Sequence, residues 1–380
     1  MRFPTRARLA VASLLTLVVA GATTTPAAHA DGGSSGDHQL TVMTQNLYLG
    51  SPLDPALQAT TPAQFVAAVA TIYGTAVATN FPKRAQAIAA TVDAQDPDLI
   101  GLQEVSKWIA QPLVPGANPP SYDFLAILQA ALASRGLHYR VAAVSDNANI
   151  GPAPLVAPTF GCGAPTSPTT PQCVVTLQDR DVILVNDDTD GLDVTASRSG
   201  DYTAQQEFTP PGVTIPVSFA RGWTYIDGRL DGTRFRFLTT HLEIERFRAV
   251  QEAQAQEFLA GPAHTGGAVI AVGDFNSAAD PATTNEPTAT YADLTKSWFK
   301  DAWDVNDGDP GFTCCQNGTL SNPVSALSHR IDLVLTHGPV RTQSARVVDD
   351  QRLDAPPPLW PSDHAGVVAT LSLPGASGRP

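Results

Sequence analysis

Short apolar runs alternate along this chain with stretches of helical period. Runs of four to seven residues, most of them rich in Val, Ile, Leu or Phe, stand at Leu40–Gln45, Leu99–Gln103, Tyr139–Ala143, Val182–Val185, Trp223–Asp227, Arg234–Thr239, Val269–Gly273, Asp332–Leu335, Gln343–Val348 and Ala365–Leu371. Their length and composition predict strands. The two runs on either side of Asp231-Gly232 read as a hairpin, because that dipeptide tolerates the positive φ of a tight turn. Helical spacing of apolar residues predicts helices over 62–73, 83–93, 122–135 and 246–259. Thr61 is placed to cap the first of these, with Pro62 in its first turn. In the last, Phe247, Val250, Gln254 and Phe258 share one face and the charges lie opposite. Many strands with few helices predict an α/β (α+β) fold of two mixed, mostly antiparallel sheets flanked by helices, not a doubly wound parallel sheet. Pro- and Gly-rich stretches at 111–120, 151–172 and 208–216 read as surface loops of one domain, since composition does not change across them.

The first thirty residues break this pattern. Arg2, Arg6 and Arg8 precede an apolar run from Leu9 to Ala20, and Ala28-His29-Ala30 follows. This predicts a secretory signal peptide over 1–30, cleaved after Ala30, and hence a secreted product. The alternative, a membrane anchor, needs about 20 apolar residues, and the run is shorter. Residues 31–39 then form a flexible start, and 40–374 the domain. The formal charge is −13 with only 23 Lys and Arg, and losing three arginines and no acid takes it to −16. No basic block exists, which excludes a protein held on nucleic acid by non-specific charge. Aromatic residues, at 7%, are too few for a base-stacking platform. A monomer without an obligate protein partner and without stable membrane insertion is expected.

Export permits disulfides. The four cysteines, Cys162, Cys173, Cys314 and Cys315, allow three pairings. Joining Cys162 to Cys173 across a Pro/Thr-rich loop is the simplest. It leaves Cys314 and Cys315 as a vicinal bridge or as thiols; cross-pairing is the competitor.

Candidate chemistry lies at the ends of the apolar runs. LTVMTQN ends at Asn46, DLIGLQE at Glu104, FRFLTTH at His241, and VIAVGDFN at Asp274 and Asn276. RIDLVL carries Asp332 inside a strand, and SDH places Asp363 and His364 where another begins. An unpaired buried carboxylate costs several kcal/mol. Such residues persist when they meet one another, a metal or a solvated cleft. Taken singly, Asn46 fits a turn, Glu104 or Asp274 a helix start, and His241 a structural hydrogen bond. Asp332 needs a partner, either Arg330 or His364. If the strands lie side by side, the polar ends converge. Carboxylates and an amide oxygen then suit a hard cation. A His–Asp pair suits activation of water, and a second His with an Asn suits the oxygens of a reacting phosphate.

With TQNLY (44–48), PDLIGLQE (97–104), RGWTYIDG (221–228), TTHLE (239–243), GDFNS (273–277), SHRIDLVL (328–335) and SDH (362–364) in this order, the chain resembles the endonuclease/exonuclease/phosphatase superfamily. That superfamily includes DNase-I-like nucleases, bacterial sphingomyelinases and inositol polyphosphate 5-phosphatases. The resemblance implies a four-layered α/β sandwich and a Mg²⁺-dependent phosphodiester hydrolase, with Mn²⁺ or Ca²⁺ as alternative ions. It implies Glu104, Asn46 and Asp363 as the metal side, His364 as the general base and Asp332 as its orienter. His241 becomes a phosphate ligand or proton donor. Asp274 and Asn276 hold water, metal or phosphate, and Asp274 stays open between base, acid and metal ligand.

QDRDVILVN (178–186) stands where such proteins diverge, and there Arg180 is a candidate substrate contact or a surface ion pair. FTCCQ (312–316) fits no pattern. A phospholipid head-group hydrolase, sphingomyelinase-like, and an extracellular nuclease are the two readings of the substrate. A phosphomonoesterase and an inactive binding protein on the same fold are the alternatives.

Overall fold

The computed structural model describes residues 37–157, 160–162, 171–214, 216–354 and 356–375. The segment expected to be a signal peptide lies outside the described residues, as does most of the loop between Cys162 and Cys173. Two sheets organise the rest. The larger runs in the order β15 (Arg341–Val348), β16 (Gly366–Pro374), β1 (Asp37–Asn46), β2 (Leu99–Gln103), β6 (Cys173–Asn186), β3 (Lys107–Pro112) and β4 (Tyr122–Asp123), with β5 (Tyr139–Leu155) also paired to β6. The second runs β13 (Lys300–Asp301), β14 (Asp332–His337), β12 (Ala268–Asp274), β11 (Thr233–His241), β10 (Gly222–Leu230) and β7 (Leu192–Asp201). A separate hairpin joins β8 (Gln206–Phe208) to β9 (Val217–Phe219).

Each large sheet contains one parallel pair, β1–β2 in the first and β11–β12 in the second, among antiparallel neighbours. A parallel pair needs a crossover, and helices supply it. Between β1 and β2 the chain forms α1 (Asp54–Leu57), α2 (Pro62–Ala78) and α3 (Phe81–Gln95). Between β11 and β12 it forms α5 (Arg248–Ala260). With α4 (Phe124–Ala133) and α6 (Thr290–Ser297) these cover the outer faces.

Alternation along the strands builds the layers. Leu40 and Val42 of β1 join Ile226, Phe237, Ile270 and Val334 in a core between the two sheets. Met43, one residue on, turns the other way and packs with Ile72, Ile88 and Leu128 of the helices. Phe258 and Leu294 close the outer face of the second sheet over Val269 and Leu333. The result is the expected four-layered α/β sandwich. At Gly101 in β2 a Cβ would collide with Val272 and Thr239 of the opposite sheet. Glycine there lets the sheets approach closely, and Gln103 Nε2 donates to Thr239 Oγ1 at 2.8 Å across the gap.

Several local expectations hold. Thr61 and Gln64 form a reciprocal cap at the start of α2. Asp231 and Gly232 both take positive φ in the β10–β11 turn. Cys162 is joined to Cys173, and Cys314 to its neighbour Cys315. Others are corrected. On α5 the buried face is Gln251, Gln254, Ala255 and Phe258, while Phe247 precedes the helix. Stretch 151–172 begins inside β5, and stretch 208–216 is the tip of the β8–β9 hairpin. Among the described residues no single helix is long and apolar enough to cross a membrane.

Candidate active site

Register assembles the site from neighbouring strands. His241 at the end of β11 pairs with Asp274 at the end of β12, and Asp274 pairs with Asp332 at the start of β14. Three polar strand ends thus stand in one row. In the first sheet Asn46 pairs with Gln103, so Glu104 follows at the same rim. Asp363 and His364 lie just ahead of β16, which is antiparallel to β1. The sheets meet where Asn46 Nδ2 donates to Asp274 Oδ2 at 3.1 Å. Six of the eight expected residues other than Arg180 therefore line one cleft of about 710 Å³, and the other two, Asp332 and Asn46, are bonded from behind to His364 and Asp274.

Asp332 Oδ2 lies 2.8 Å from His364 Nδ1. Asp332 is fully buried, so His364 is its partner; Arg330 instead binds Asp301 at 2.7 Å. Burial by itself pulls the pKa of His364 down, but the carboxylates of Asp332, Asp274 and Asp363 overcome it and hold it well above the ordinary histidine value. Asp274 Oδ1 accepts from Asn276 N at 2.9 Å, while Oδ2 lies 3.4 Å from His241 Nε2 and 3.8 Å from His364 Nε2. Burial pushes Asp274 up to about 7, although His364 opposes this. Gly273, at φ 149°, sets the turn into Asp274, and a side chain there would strike Thr240 O.

One residue that the apolar pattern does not single out completes the row. Arg221 enters the cleft at the head of β10, 3.9 Å from Asp179 Oδ2 and 3.8 Å from Glu243 Oε1. Its Nη1 donates to His241 Nδ1 at 2.8 Å, a closer contact than the 3.3 Å to Nε2. Burial, then the charges of Arg221 and His364, holds His241 well below the usual histidine pKa, so its ring is neutral. With Nδ1 accepting, the ring proton sits on Nε2 and faces Asp274 and the cleft. The signal for Arg221 was a cation immediately before a buried strand, within RGWTYIDG.

Asn276 also lines the cleft, and its Nδ2 donates to Leu242 O at 2.9 Å, tying GDFN to the end of β11. The structure does not bring Arg180 to the cleft. Its guanidinium bonds Asp123 Oδ1 at 2.6 Å and Val105 O at 2.9 Å, which is the ion-pair alternative. FTCCQ, unplaced by sequence, stitches the two halves of the His–Asp pair together. Thr313 Oγ1 accepts from Asp332 N at 3.2 Å, and Thr313 O accepts from Ala365 N at 2.8 Å. Cys314 Sγ and Cys315 Sγ then lie 3.7 and 3.9 Å from His364 Nε2.

The donor set fits a divalent cation. Burial, with the charges of Asp363 and Asp179, pushes Glu104 up to about 8, and burial likewise raises Asp363. Carboxylates driven toward protonation by burial and mutual repulsion are relieved by a cation between them. Glu104 is held in place by the Leu49 N–H, which it accepts, and takes a left-handed φ of 53°. Asn46 Oδ1 accepts from Tyr48 N at 2.8 Å, leaving one lone pair for a further partner. A second acidic cluster, Asp274, Asp332 and His364, has ligand atoms within 4.8 Å of one another. Behind the rim, the fully buried Arg84 donates to Leu47 O and Pro361 O at 2.7 and 2.8 Å and so fastens β1 to the SDH loop.

Solved structures share this architecture. An endonuclease/exonuclease/phosphatase family protein from Bacteroides vulgatus aligns with a TM-score of 0.53 at 14% identity, covering 88% of this chain and 99% of its own. One from Bacteroides thetaiotaomicron aligns at 0.52 and 17%, covering 89% and 98%. A mannosyl-6-phosphatase from Bacteroides thetaiotaomicron aligns at 0.50 and 17%, covering 87% and 99%. At these identities the likeness is one of fold. No match was found among curated proteins. The sequence model of the Endonuclease/Exonuclease/phosphatase family, however, matches residues 43–364, a span that begins within β1 and ends on the histidine paired to Asp332. With the motifs at converging strand ends and the four layers in place, the chain belongs to the endonuclease/exonuclease/phosphatase family of hydrolases.

Proposed function

We propose that this protein is an exported, Mg²⁺-dependent phosphodiester hydrolase. The observation that carries the reading is the buried contact of Asp332 with His364, set 3.8 Å from Asp274 Oδ2. In this reading Asp332 fixes the ring so that His364 Nε2 faces the cleft and accepts a proton from the attacking water. Asp274, held by Asn46 and the Asn276 N–H, orients that water or shares its proton. His241, neutral and with its proton on Nε2, donates to a non-bridging phosphate oxygen. Arg221 fixes that tautomer and adds positive charge to a rim of carboxylates. Glu104 and Asp363 would hold the cation, with Asn46 beside them; when bound, it polarises a phosphoryl oxygen and offsets negative charge at the transition state.

Export rests on the residue pattern of positions 1–30. The test is hydrolysis of bis-p-nitrophenyl phosphate with and without Mg²⁺, beside p-nitrophenyl phosphate as a monoester. Turnover of the diester that stops on exhaustive chelation and returns with Mg²⁺ is expected. Undiminished turnover in chelator would refute the cation, and faster cleavage of the monoester would turn the reading to a phosphomonoesterase.

A further inference from the structure

A second cavity opens beside the catalytic cleft. It has a volume of about 70 Å³, and its walls are aliphatic and aromatic throughout, from Ile72 and Val69 of α2 to Val175 and Leu177 of β6. Among the described residues, the one polar side-chain group on its walls is the indole N–H of Trp108, and that donates to Leu49 O at 2.7 Å. Nothing on the side chains is left to bind a polar ligand. Leu53, Leu57, Phe208 and Phe219 line this chamber and the catalytic cleft alike, so the two adjoin. Phe208 and Phe219 come from the β8–β9 hairpin. Protein interiors are close-packed, so an apolar void that adjoins a reactive site is a feature to be explained.

We infer that this chamber takes the alkyl chain of an amphiphilic phosphodiester whose phosphate lies in the cleft. The inference rests on the phosphodiesterase reading and names its substrate class. A nucleobase entering here would leave its own donors and acceptors unpaired, at a cost of about 1–3 kcal/mol each. A chain of methylenes gives up nothing. The net charge of −13 also opposes a polyanion at long range, whereas an alkyl phosphodiester carries a single charge. By comparison with the ~150 Å³ cavity that admits the six carbons of benzene, the chamber holds about three carbons.

The experiment is a series of n-alkyl p-nitrophenyl phosphates, methyl to octyl, assayed below their aggregation limits. Water adds to phosphorus, p-nitrophenolate leaves with the bonding pair, and an alkyl phosphate remains. Thymidine 5′-(p-nitrophenyl phosphate) provides the polar counterpart with the same leaving group. Once the chain reaches the mouth, kcat/KM should rise about fourfold per methylene over about three methylenes and then level off. Ala56→Phe and, separately, Ala153→Leu fill the chamber and should flatten that rise, with cooperative melting as the check that each variant folds. A flat series from an enzyme that hydrolyses bis-p-nitrophenyl phosphate would overturn the chamber and leave the phosphodiesterase reading standing. So would an undiminished rise in both filled variants, or a preference for the thymidine ester over the hexyl ester. Failure to cleave any diester would remove both.

Discussion

Asp332→Asn tests the site at its centre. Wild-type Asp332 Oδ2 accepts the Nδ1 proton of His364 at 2.8 Å, in a place with no solvent exposure. That bond keeps the proton on Nδ1 and leaves Nε2 free to accept one from water. An asparagine of the same shape can present its NH₂ to Nδ1, which drives the ring proton to Nε2 and removes the base. General-base assistance contributes about 10²–10⁴ in rate, and the wrong tautomer forfeits most of it, so kcat should fall by about that factor, roughly 3–5 kcal/mol. The fold should survive, because the backbone N–H of residue 332 still donates to Thr313 Oγ1 and the strand register is unchanged. The assay is kcat for bis-p-nitrophenyl phosphate from pH 5 to 9. In the wild type the raised pKa of His364 puts the acidic limb above the ordinary histidine value, and rate climbs with pH as the ring loses its proton. Removing the Asp332 charge should move that limb to lower pH while lowering the plateau. His364→Ala should lose at least as much, and the double variant little more, since the two act as a unit. Losses that multiply in the double variant, or a limb that does not move, would refute the pairing and turn attention to Asp274 as the base.

Three further outcomes follow from other parts of the molecule. Glu104→Gln keeps the shape of the side chain but removes its charge; the Mg²⁺ concentration for half-maximal activity should rise at least about tenfold, and an unchanged titration would exclude Glu104 from the cation site. Asp349 is distant in role: it accepts from Thr91 Oγ1 at 2.5 Å, its other oxygen is sealed without a partner, and burial pushes it up to about 7. The unfolded carboxyl releases its proton near 4, so between about pH 4 and 7 the unfolded chain binds fewer protons and stability falls as pH rises. Asp349→Asn should therefore melt higher than wild type at pH 8 by the equivalent of about 1 kcal/mol or more, with the gain vanishing by pH 4; an equal gain at both would contradict the linkage. Replacing Cys162 and Cys173 together by serine should lower stability by about 2–4 kcal/mol in urea denaturation, while peptide mapping that finds either cysteine joined to Cys314 or Cys315 would refute their pairing.

The strand ends were readable because each carries its own contradiction. A buried apolar run that stops on Asn46, Glu104, His241 or Asp274 cannot be explained by its neighbours in sequence, only by partners elsewhere. The partners themselves depend on register, and a one-residue change of parity reverses a side chain. Along β6, Asp179 and Asp181 turn inward to the buried side while Arg180, between them, turns out to Asp123. The QDRD segment was therefore the right place but Arg180 the wrong parity for the cleft, which Arg221 and Arg246 face instead. Strand β7 escaped notice because most of its residues are exposed, so no apolar period marks it. Strand β3 ends on Pro112 and carries a lysine and a glutamine within six residues, which hides its alternation. FTCCQ could not be placed because Thr313 receives the backbone N–H groups of Asp332 and Ala365, from segments distant in sequence, and a lone threonine carries no signal of that task.

Charge ties the cleft to its surroundings. The chain is acidic overall, and the rim adds Glu104, Glu243, Asp274 and Asp363 within one cleft. Arg221 meets part of that charge, bridging toward Asp179 and Glu243, and it is spent on holding them and His241 in place. A cation held by Glu104 and Asp363, as proposed above, would meet more of it and make the cleft hospitable to a phosphate. A substrate with one negative charge needs that much and no more. A polyanion would require a basic surface leading away from the cleft on both sides, as its flanking phosphates must also be met. What leads away here, past Leu53 and Phe208, is an apolar chamber. In the proposed reading, local charge, the cation and the adjoining void select the same kind of molecule: one phosphodiester, joined to a chain that water does not hold.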